Sequence, residues 1–154
     1  KELMGLKELF PQYDSILVTD NKAAANQLEV TRNFRAVEFA NAMSDRRERK
    51  AGNRSKGTRW AALNAYLKMF IQCIRLVRKY KPMVIISTGS YIAVPLFWWG
   101  KLQGAKLIFI ESNAMVYSKT TTGKLVGWMS DKVIVQWPEM LKVYPKAEYW
   151  GVLI

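Results

Sequence analysis

Two short polar segments hold the residues best suited to chemistry. Thr88-Gly89-Ser90 follows the apolar run from Met83 to Ser87, and Glu111-Ser112-Asn113 follows a second run from Lys106 to Ile110. A glycine directly after a strand permits a sharp turn that exposes backbone amides at a helix entrance, and such amides bind phosphate or diphosphate. The carboxylate of Glu111 could act as a general base or hold a sugar hydroxyl. Each of these residues also has a structural alternative. The glycine segment could be a plain connection, and Glu111 could be a partner for a backbone amide or a lysine.

A strand–helix–strand unit is expected to position these segments. The two runs are typical of buried strands, and Pro95 marks the first turn of a helix of about ten residues between them. Two such strands joined by a helix form a right-handed unit in a parallel sheet, which binds ligands outside the carboxyl ends of its strands. We therefore expect the amides of residues 90–94 to face an anion site at that edge. Its candidate residues are Thr88, Gly89, Ser90, Tyr91, Ser112 and Asn113.

The rest of the chain predicts one α/β domain over residues 1–154, because 154 residues of which 50% are hydrophobic suffice for a core. We expect a Rossmann-like parallel sheet with helices on both faces. Apolar runs and turn residues predict helices at 2–10, 59–80, 123–129 and 138–144, and strands at 14–19, 34–39, 132–135 and 147–152.

The helix predicted at 59–80, capped by Thr58 and ended by Lys81-Pro82, has an unusually wide apolar surface. It spans about 220° of the helix, roughly twice what a surface helix needs. One stripe must cover the sheet, and the other must meet a second helix, a partner subunit or a membrane. The first stripe contains Leu63, Leu67, Phe70, Ile71, Ile74 and Val77; the second, which we assign to a membrane, contains Ala62, Tyr66, Met69, Cys73, Leu76 and Tyr80.

The positive charge is concentrated in one part of the chain. Residues 44–81 contain twelve Lys and Arg against two acids, Asp45 and Glu48, and the net charge of the whole chain is +12. Residues 44–59 are polar and glycine-containing, which predicts a mobile basic loop. It should face lipid headgroups, a diphosphate or nucleic acid, unless it is only a solvated surface loop. Candidate membrane-binding residues are Arg46, Arg47, Arg49, Lys50, Arg54, Lys56, Arg59 and Trp60.

Composition excludes several kinds of site. The chain has no histidine, so it cannot build the common zinc sites or a Ser-His triad from its own residues, and we expect neither a metal nor a cofactor. A single cysteine, Cys73, excludes an intramolecular disulfide and fits a reducing compartment. No run reaches the ~18 apolar residues that a membrane-spanning helix needs. Because the first residue is Lys1, we expect that an N-terminal piece is missing.

Several motifs in order resemble a known family. The segments ISTGSYIAVP, KLIFIESNA, TGKL, SDKVIVQW, YPKA and YWG, within about residues 82–151, resemble the bacterial PssD/EpsE proteins of polysaccharide biosynthesis. That family is related to the membrane-anchoring subunit of the two-part UDP-N-acetylglucosamine transferase of the dolichol pathway. A more distant similarity is to the N-terminal half of MurG, through the glycine loop and the Glu-x-Asn triplet formed by Glu111 and Asn113.

The resemblance implies the acceptor-side half of a GT-B glycosyltransferase. A separate subunit would supply the UDP-sugar site, and this chain would bind a polyprenyl-diphosphate-linked acceptor, with Glu111 as the candidate catalytic base. It would act at the cytoplasmic face of the membrane as a peripheral protein. Two features depart from the family: the usual first strand with its Gly-Gly-His type loop is absent from this sequence, and Met115 stands where an arginine is usual.

Two other classes of protein remain as alternatives. A nucleic-acid- or anion-binding module would explain the charge, but the basic segment lacks the interleaved aromatics of a single-strand platform, so we expect no nucleic acid. A complete single-chain enzyme would need a second domain for the donor, for which 154 residues leave no room.

Overall fold

Six strands and three α-helices make up the part of the chain that the computed structural model describes, which is residues 2–20, 32–40 and 56–153. The α-helices are α1 (Lys56–Tyr80), α2 (Ala93–Leu102) and α3 (Thr121–Val126). Short 3₁₀ helices cover Glu2–Leu6, Phe10–Gln12 and Pro138–Lys142. The strands are β1 (Ile16–Thr19), β2 (Ala36–Phe39), β3 (Val84–Ser87), β4 (Lys106–Ile110), β5 (Lys132–Val135) and β6 (Glu148–Tyr149).

All pairings between the described strands are parallel. β1 pairs with β2, and β3, β4, β5 and β6 form a second sheet in that order. Val84 lies opposite Lys106 and Ser87 opposite Phe109, so β3 and β4 form the expected unit with α2 as its crossover. The prediction of a Rossmann-like α/β fold is confirmed.

Three apolar clusters hold the layers together. The largest joins α2, α3 and the 138–142 turn to one face of the four-stranded sheet, through residues such as Phe97, Phe109 and Val135. A second joins α1 to α2 and to both sheets. A third packs Phe10 on Phe34, with ring centroids 4.6 Å apart, on the opposite face of β1 and β2. Helical turns therefore cover both faces of the β1–β2 pair, as predicted.

Helix α1 corrects two expectations. It begins at Lys56, so Thr58 lies within the helix and is not its cap. The stripe that faces the core contains Met69, Cys73 and Val77, all buried, and burial raises the pKa of the Cys73 thiol to about 11. The assignment of Met69 and Cys73 to a membrane is therefore wrong. The exposed side chains come from the stripe that was predicted to cover the sheet: Leu63, Leu67 and Ile71 are each about half exposed.

Several other boundaries of helices and strands differ by a few residues from those predicted from the sequence. The end of α1 is as predicted, because Lys81 adopts a left-handed conformation with φ of 45° and Pro82 follows. The N-terminal helix predicted at 2–10 consists of two separate 3₁₀ turns, and α3 starts at Thr121. The last strand contains only Glu148 and Tyr149 of the six residues predicted in the range 147–152.

A cleft of about 620 Å³ lies between the two sheets. Its walls include Leu17 and Val18 of β1 and Ile86 of β3. Neither β1 nor β3 pairs with another described strand on the side that faces this cleft. The cleft reaches the carboxyl end of β3, where Thr88 and Ser90 line it.

Candidate functional site

The two polar segments lie side by side at one edge of the sheet. β3 and β4 are parallel neighbours, with Ser87 opposite Phe109, so the residues after each strand emerge at the same edge. A hydrogen bond ties the segments together, because the Thr122 hydroxyl donates to the Gly89 carbonyl over 3.0 Å. The structure thus brings Thr88, Gly89, Ser90, Tyr91, Glu111, Ser112 and Asn113 to a common edge.

The glycine loop owes its shape to the backbone of Gly89. Its φ of +103° is in the left-handed region, and a side chain there would meet no atom within 4 Å, so conformation and not space requires glycine. The amides of Ala93 and Val94 donate to the carbonyls of Ser90 and Tyr91. These two amides are therefore not directed toward an anion, contrary to our expectation for residues 90–94.

Glu111 is a buried carboxylate whose two oxygens accept hydrogen bonds. Its side chain is 1% exposed. Oε1 accepts from the Ser112 amide at 3.0 Å, and Oε2 accepts from the Thr120 amide at 3.2 Å and from the Tyr144 hydroxyl at 2.6 Å. Burial and the hydrogen bond to Glu111 raise the pKa of Tyr144, which therefore stays a protonated donor. This arrangement holds the loop of residues 112–120 against the sheet.

A glycine in α3 leaves room for this network. A Cβ at Gly123 would overlap the Tyr144 hydroxyl and lie 2.5 Å from Oε2 of Glu111. The Gly123 amide is bound in turn, since it donates to Oγ1 of Thr120, the N-cap of α3, at 2.9 Å. Tyr144, Thr120 and Gly123 are not among the site residues predicted from the sequence, although YPKA and TGKL contain two of them.

Gln136 and Trp137, the two residues that follow β5, stabilise the same edge of the sheet. The Gln136 side chain, which is buried, donates to the Glu111 carbonyl at 2.9 Å and accepts from the Leu153 amide at 2.8 Å. The Trp137 indole donates to the Asn113 carbonyl at 2.7 Å. The segment after β6 is thereby tied to the edge of the sheet that carries Glu111.

The ammonium group of Lys119 lies close to the hydrogen-bond network of Glu111 and Tyr144. The Lys119 ammonium lies 4.2 Å from the centroid of the Tyr144 ring, on the loop that Glu111 holds. Together with the exposed Ser90 hydroxyl and the half-buried Ser112, it gives this edge groups that can bind an anion. Within the described residues, no group of three or more His, Cys, Asp or Glu side chains is arranged to hold a metal ion.

The candidate membrane residues fall mostly outside the described part. Arg46, Arg47, Arg49, Lys50 and Arg54 lie outside the described residues, as do residues 44–55 of the basic segment 44–59, whereas residues 56–59 are helical and not part of a loop. Lys56, Arg59 and Trp60 belong to the first turns of α1, where only the backbone is described. None of the helices over residues 2–20, 32–40 and 56–153 is both long enough and apolar enough to cross a bilayer.

The parallel strands with helices on both faces form a Rossmann-like domain, and its similarity to a bacterial N-acetylglucosamine transferase makes it equivalent to the N-terminal half of a GT-B glycosyltransferase. Residues 12–153 match the family model described as "Oligosaccharide biosynthesis protein Alg14 like". The chain belongs to this family.

Named relatives include both separate subunits and a larger enzyme. The UDP-N-acetylglucosamine transferase subunit ALG14 of Kluyveromyces lactis is 26% identical over 149 residues, which cover 92% of this chain and 61% of that protein. The same subunit from Yarrowia lipolytica is 33% identical over 91 residues, 55% of this chain and 42% of that protein.

The larger relative comes from a bacterium. The UDP-N-acetylglucosamine--N-acetylmuramyl-(pentapeptide) pyrophosphoryl-undecaprenol N-acetylglucosamine transferase of Prochlorococcus marinus is 40% identical over 72 residues, 47% of this chain and 19% of that enzyme. The matched part of the chain therefore covers between 19% and 61% of the length of these relatives.

Proposed function

We propose that this chain is the acceptor-binding, membrane-recruiting subunit of a two-component UDP-sugar glycosyltransferase. It would extend a polyprenyl-diphosphate-linked sugar at the cytoplasmic face of the membrane. The observation that carries the proposal is the shared carboxyl edge of β3 and β4, with its glycine loop and buried Glu111, in a chain of the Alg14-like family. The names of its relatives favour N-acetylglucosamine as the sugar and a pyrophosphoryl lipid as the acceptor.

Within this function, we assign the acceptor diphosphate to the edge formed by the two polar segments. The glycine loop and the Ser90 and Ser112 hydroxyls offer donors for phosphate oxygens, and Lys119 adds a positive charge beside them. The motif order within residues 82–151 further supports a bacterial PssD/EpsE type of subunit, acting in polysaccharide biosynthesis.

Sugar transfer requires the acceptor hydroxyl to lose its proton as UDP leaves, and Glu111 is the candidate base. The hydrogen bonds that Glu111 accepts support a positioning role more directly than a role as base. With both oxygens accepting hydrogen bonds from Ser112, Thr120 and Tyr144, the carboxylate positions the loop that faces the acceptor. As a base, it would have to exchange at least one of these hydrogen bonds for one from the substrate.

The test compares the chain alone with the chain joined to its donor-binding subunit, each given UDP-N-acetylglucosamine and a polyprenyl-diphosphate-sugar. We expect no product from the isolated chain and sugar transfer from the assembled pair, because the chain carries one half of a two-domain active site. Robust turnover by the isolated chain would contradict the two-subunit proposal. An RNA gel-shift assay is the control for the alternative of a nucleic-acid-binding module, and we expect no specific shift.

A further inference from the structure

A hydrogen bond joins the glycine loop to the first turn of α3. The Thr122 side chain is buried, and its hydroxyl donates to the Gly89 carbonyl over 3.0 Å. Thr121, the residue before it in the same helix, is exposed. A buried hydroxyl that reaches from a helix to a loop carbonyl fixes the direction of that carbonyl, because leaving either group unpaired is costly. Thr122 therefore determines how the peptide group after Gly89 is oriented.

The direction of the Gly89 carbonyl also sets the direction of the Ser90 amide, since the two groups belong to one peptide unit. None of the peptide bonds in the described ranges is cis, and in a trans peptide the carbonyl and the N–H point in opposite directions. Because the carbonyl is directed at Thr122 of α3, the Ser90 N–H is directed away from α3. The hydroxyl of Thr122 thus orients a backbone donor that it does not itself contact.

The Ser90 amide differs from neighbouring amides of the loop in being available to a ligand. The Gly89 amide donates to Oγ of Ser87 at 3.3 Å. The amides of Ala93 and Val94 donate to carbonyls of the same turn. The Ser90 N–H has no hydrogen-bond partner among the residues that the structure describes, and Ser90 is exposed at the carboxyl end of the cleft. A phosphate oxygen can accept a hydrogen bond from an exposed loop amide of this kind.

The same turn of α3 is also bound to Glu111. The Thr120 amide donates to Oε2 of Glu111 at 3.2 Å, and the Thr120 hydroxyl accepts from the Gly123 amide at 2.9 Å. Thr122, between these two residues, donates to the glycine loop. The first turn of α3 therefore connects the two polar segments, so the orientation of the Ser90 amide depends on a turn that Glu111 helps to hold.

We propose that Thr122 is a positioning residue for the acceptor diphosphate: through the Gly89 carbonyl, it directs the Ser90 amide at a phosphate oxygen. This inference rests on the proposed function and deepens it, because it names one donor of the diphosphate site and the residue that orients this donor. Thr122 itself does not touch the acceptor. The diphosphate is not the reacting group, so its contacts contribute equally to the ground state and the transition state, and their loss raises KM.

Kinetics of the assembled enzyme test the proposal with three variants. Thr122→Val lacks the hydroxyl, and we expect the KM for the polyprenyl-diphosphate-sugar to rise about tenfold, since one charge-assisted hydrogen bond is misdirected. The kcat and the KM for UDP-N-acetylglucosamine should not change. Thr122→Ser keeps the hydroxyl and should restore the acceptor KM, and Thr121→Val, the matched control at an exposed position, should behave like the parent. A parental acceptor KM in Thr122→Val, or no rescue by Thr122→Ser, would overturn the proposal.

A binding measurement without sugar transfer separates this inference from the proposed function. Inorganic pyrophosphate is titrated into the isotope-labelled chain, and the backbone amide signal of Ser90 is followed by NMR. We expect this signal to shift in the parent, Thr122→Ser and Thr121→Val proteins, and to require about tenfold more pyrophosphate in Thr122→Val. A Ser90 signal that does not respond in the parent would overturn the inference, even if no Thr122 variant folds, and sugar transfer by the complex would leave the proposed function standing. If the complex transfers no sugar to any acceptor, the proposed function fails, and the titration still decides whether Thr122 orients an anion donor.

Discussion

The carboxylate of Glu111 is bound by three separate parts of the chain: its own neighbour Ser112, Thr120 before α3, and Tyr144 after β5. The sequence predicts where Glu111 lies, because a polar residue after a buried strand must emerge at the carboxyl edge. It does not predict the partners, because Tyr144 is 33 residues further along and reaches Glu111 only through tertiary packing. A carboxylate held this way is a rigid part of the site.

Glu111→Gln measures whether the carboxylate also takes a proton. A positioned base typically contributes about 10²–10⁴-fold to the rate, so we expect turnover of the assembled enzyme to fall within that range if Glu111 is the base. Binding of the donor subunit should not change. The measurement is the turnover of the purified pair, with a melting temperature for each variant. A change of less than about threefold would mean that Glu111 is structural only.

Tyr144→Phe removes a hydrogen bond to a buried carboxylate, and we expect it to lower the free energy of unfolding by about 1–3 kcal/mol. Gly123→Ala should be destabilising as well, because the new methyl group overlaps the Tyr144 hydroxyl. The two effects are coupled: Gly123→Ala should cost less in the Tyr144→Phe background, where that oxygen is gone. Urea denaturation of the four proteins tests this, and strictly additive effects would contradict it. Tyr149→Phe, at an exposed site, is the control.

At the scale of elements, α1 shows what periodicity can and cannot decide. Its two apolar stripes are adjacent and each is wide enough to pack against a neighbour, so the sequence predicts the width of the apolar arc but not which stripe meets the sheet. The structure buries Met69 and Cys73 against Leu96 of α2 and Val18 of β1. This choice depends on the direction in which the helix enters and leaves, which residues distant in sequence determine.

Met69→Ser and Leu67→Ser form a matched pair on α1. Met69 is 1% exposed, and its replacement should lower the free energy of unfolding by about 2–4 kcal/mol through the cavity and the buried hydroxyl. Leu67 is half exposed, so the same replacement should cost less than about 1 kcal/mol. Urea denaturation of both variants provides the comparison. Equal losses of stability would contradict the orientation of α1 described above.

Asp131, before β5, fixes the start of β4. Its Oδ2 accepts from the Leu107 amide at 2.9 Å, and Oδ1 lies 3.1 Å from the Lys101 ammonium. The Leu107 hydrogen bond, then that of Lys101, lowers the pKa of Asp131 below its ordinary value of 3.8. A carboxylate with a lowered folded-state pKa contributes stability above its unfolded pKa, and this contribution is lost as the pH falls through the folded value.

Asp131→Asn and Asp131→Ala separate the charge from the hydrogen bond. Asn can still accept from the Leu107 amide, so it should be less stable than the parent near neutral pH but approach it as the pH falls below 3.8, the ordinary pKa of the carboxyl. Ala leaves the Leu107 amide unpaired, which should cost about 1–3 kcal/mol at every pH. Denaturation curves at several pH values measure both. A parent and an Asn variant with parallel pH dependence would contradict the role of the charge.

At the scale of the whole molecule, the order of the elements and their parallel pairing follow from the sequence. Continuous apolar runs predict buried strands, and the connections between them are too long for hairpins. The separation into a two-stranded and a four-stranded sheet does not follow from any local pattern. A cleft separates β1 from β3, and neither strand pairs there with another described strand.

The basic segment should contribute to membrane binding by electrostatic attraction. Long-range attraction of anionic lipid by Arg and Lys is screened by salt. Each Lys or Arg near an anionic surface contributes about 1 kcal/mol at most, so four of them can contribute up to about 4 kcal/mol at low salt. This contribution can therefore be recognised by the salt dependence of vesicle binding.

Replacing Arg46, Arg47, Arg49 and Lys50 with Ser tests the electrostatic contribution. Binding to anionic vesicles should weaken at low salt, and the binding that remains should depend less on salt, because fewer charges interact with the surface. The melting temperature should hardly change, since a polar, glycine-containing segment is predicted to form few packing contacts. If the quadruple Ser variant binds like the parent at low salt, the basic segment faces something other than lipid.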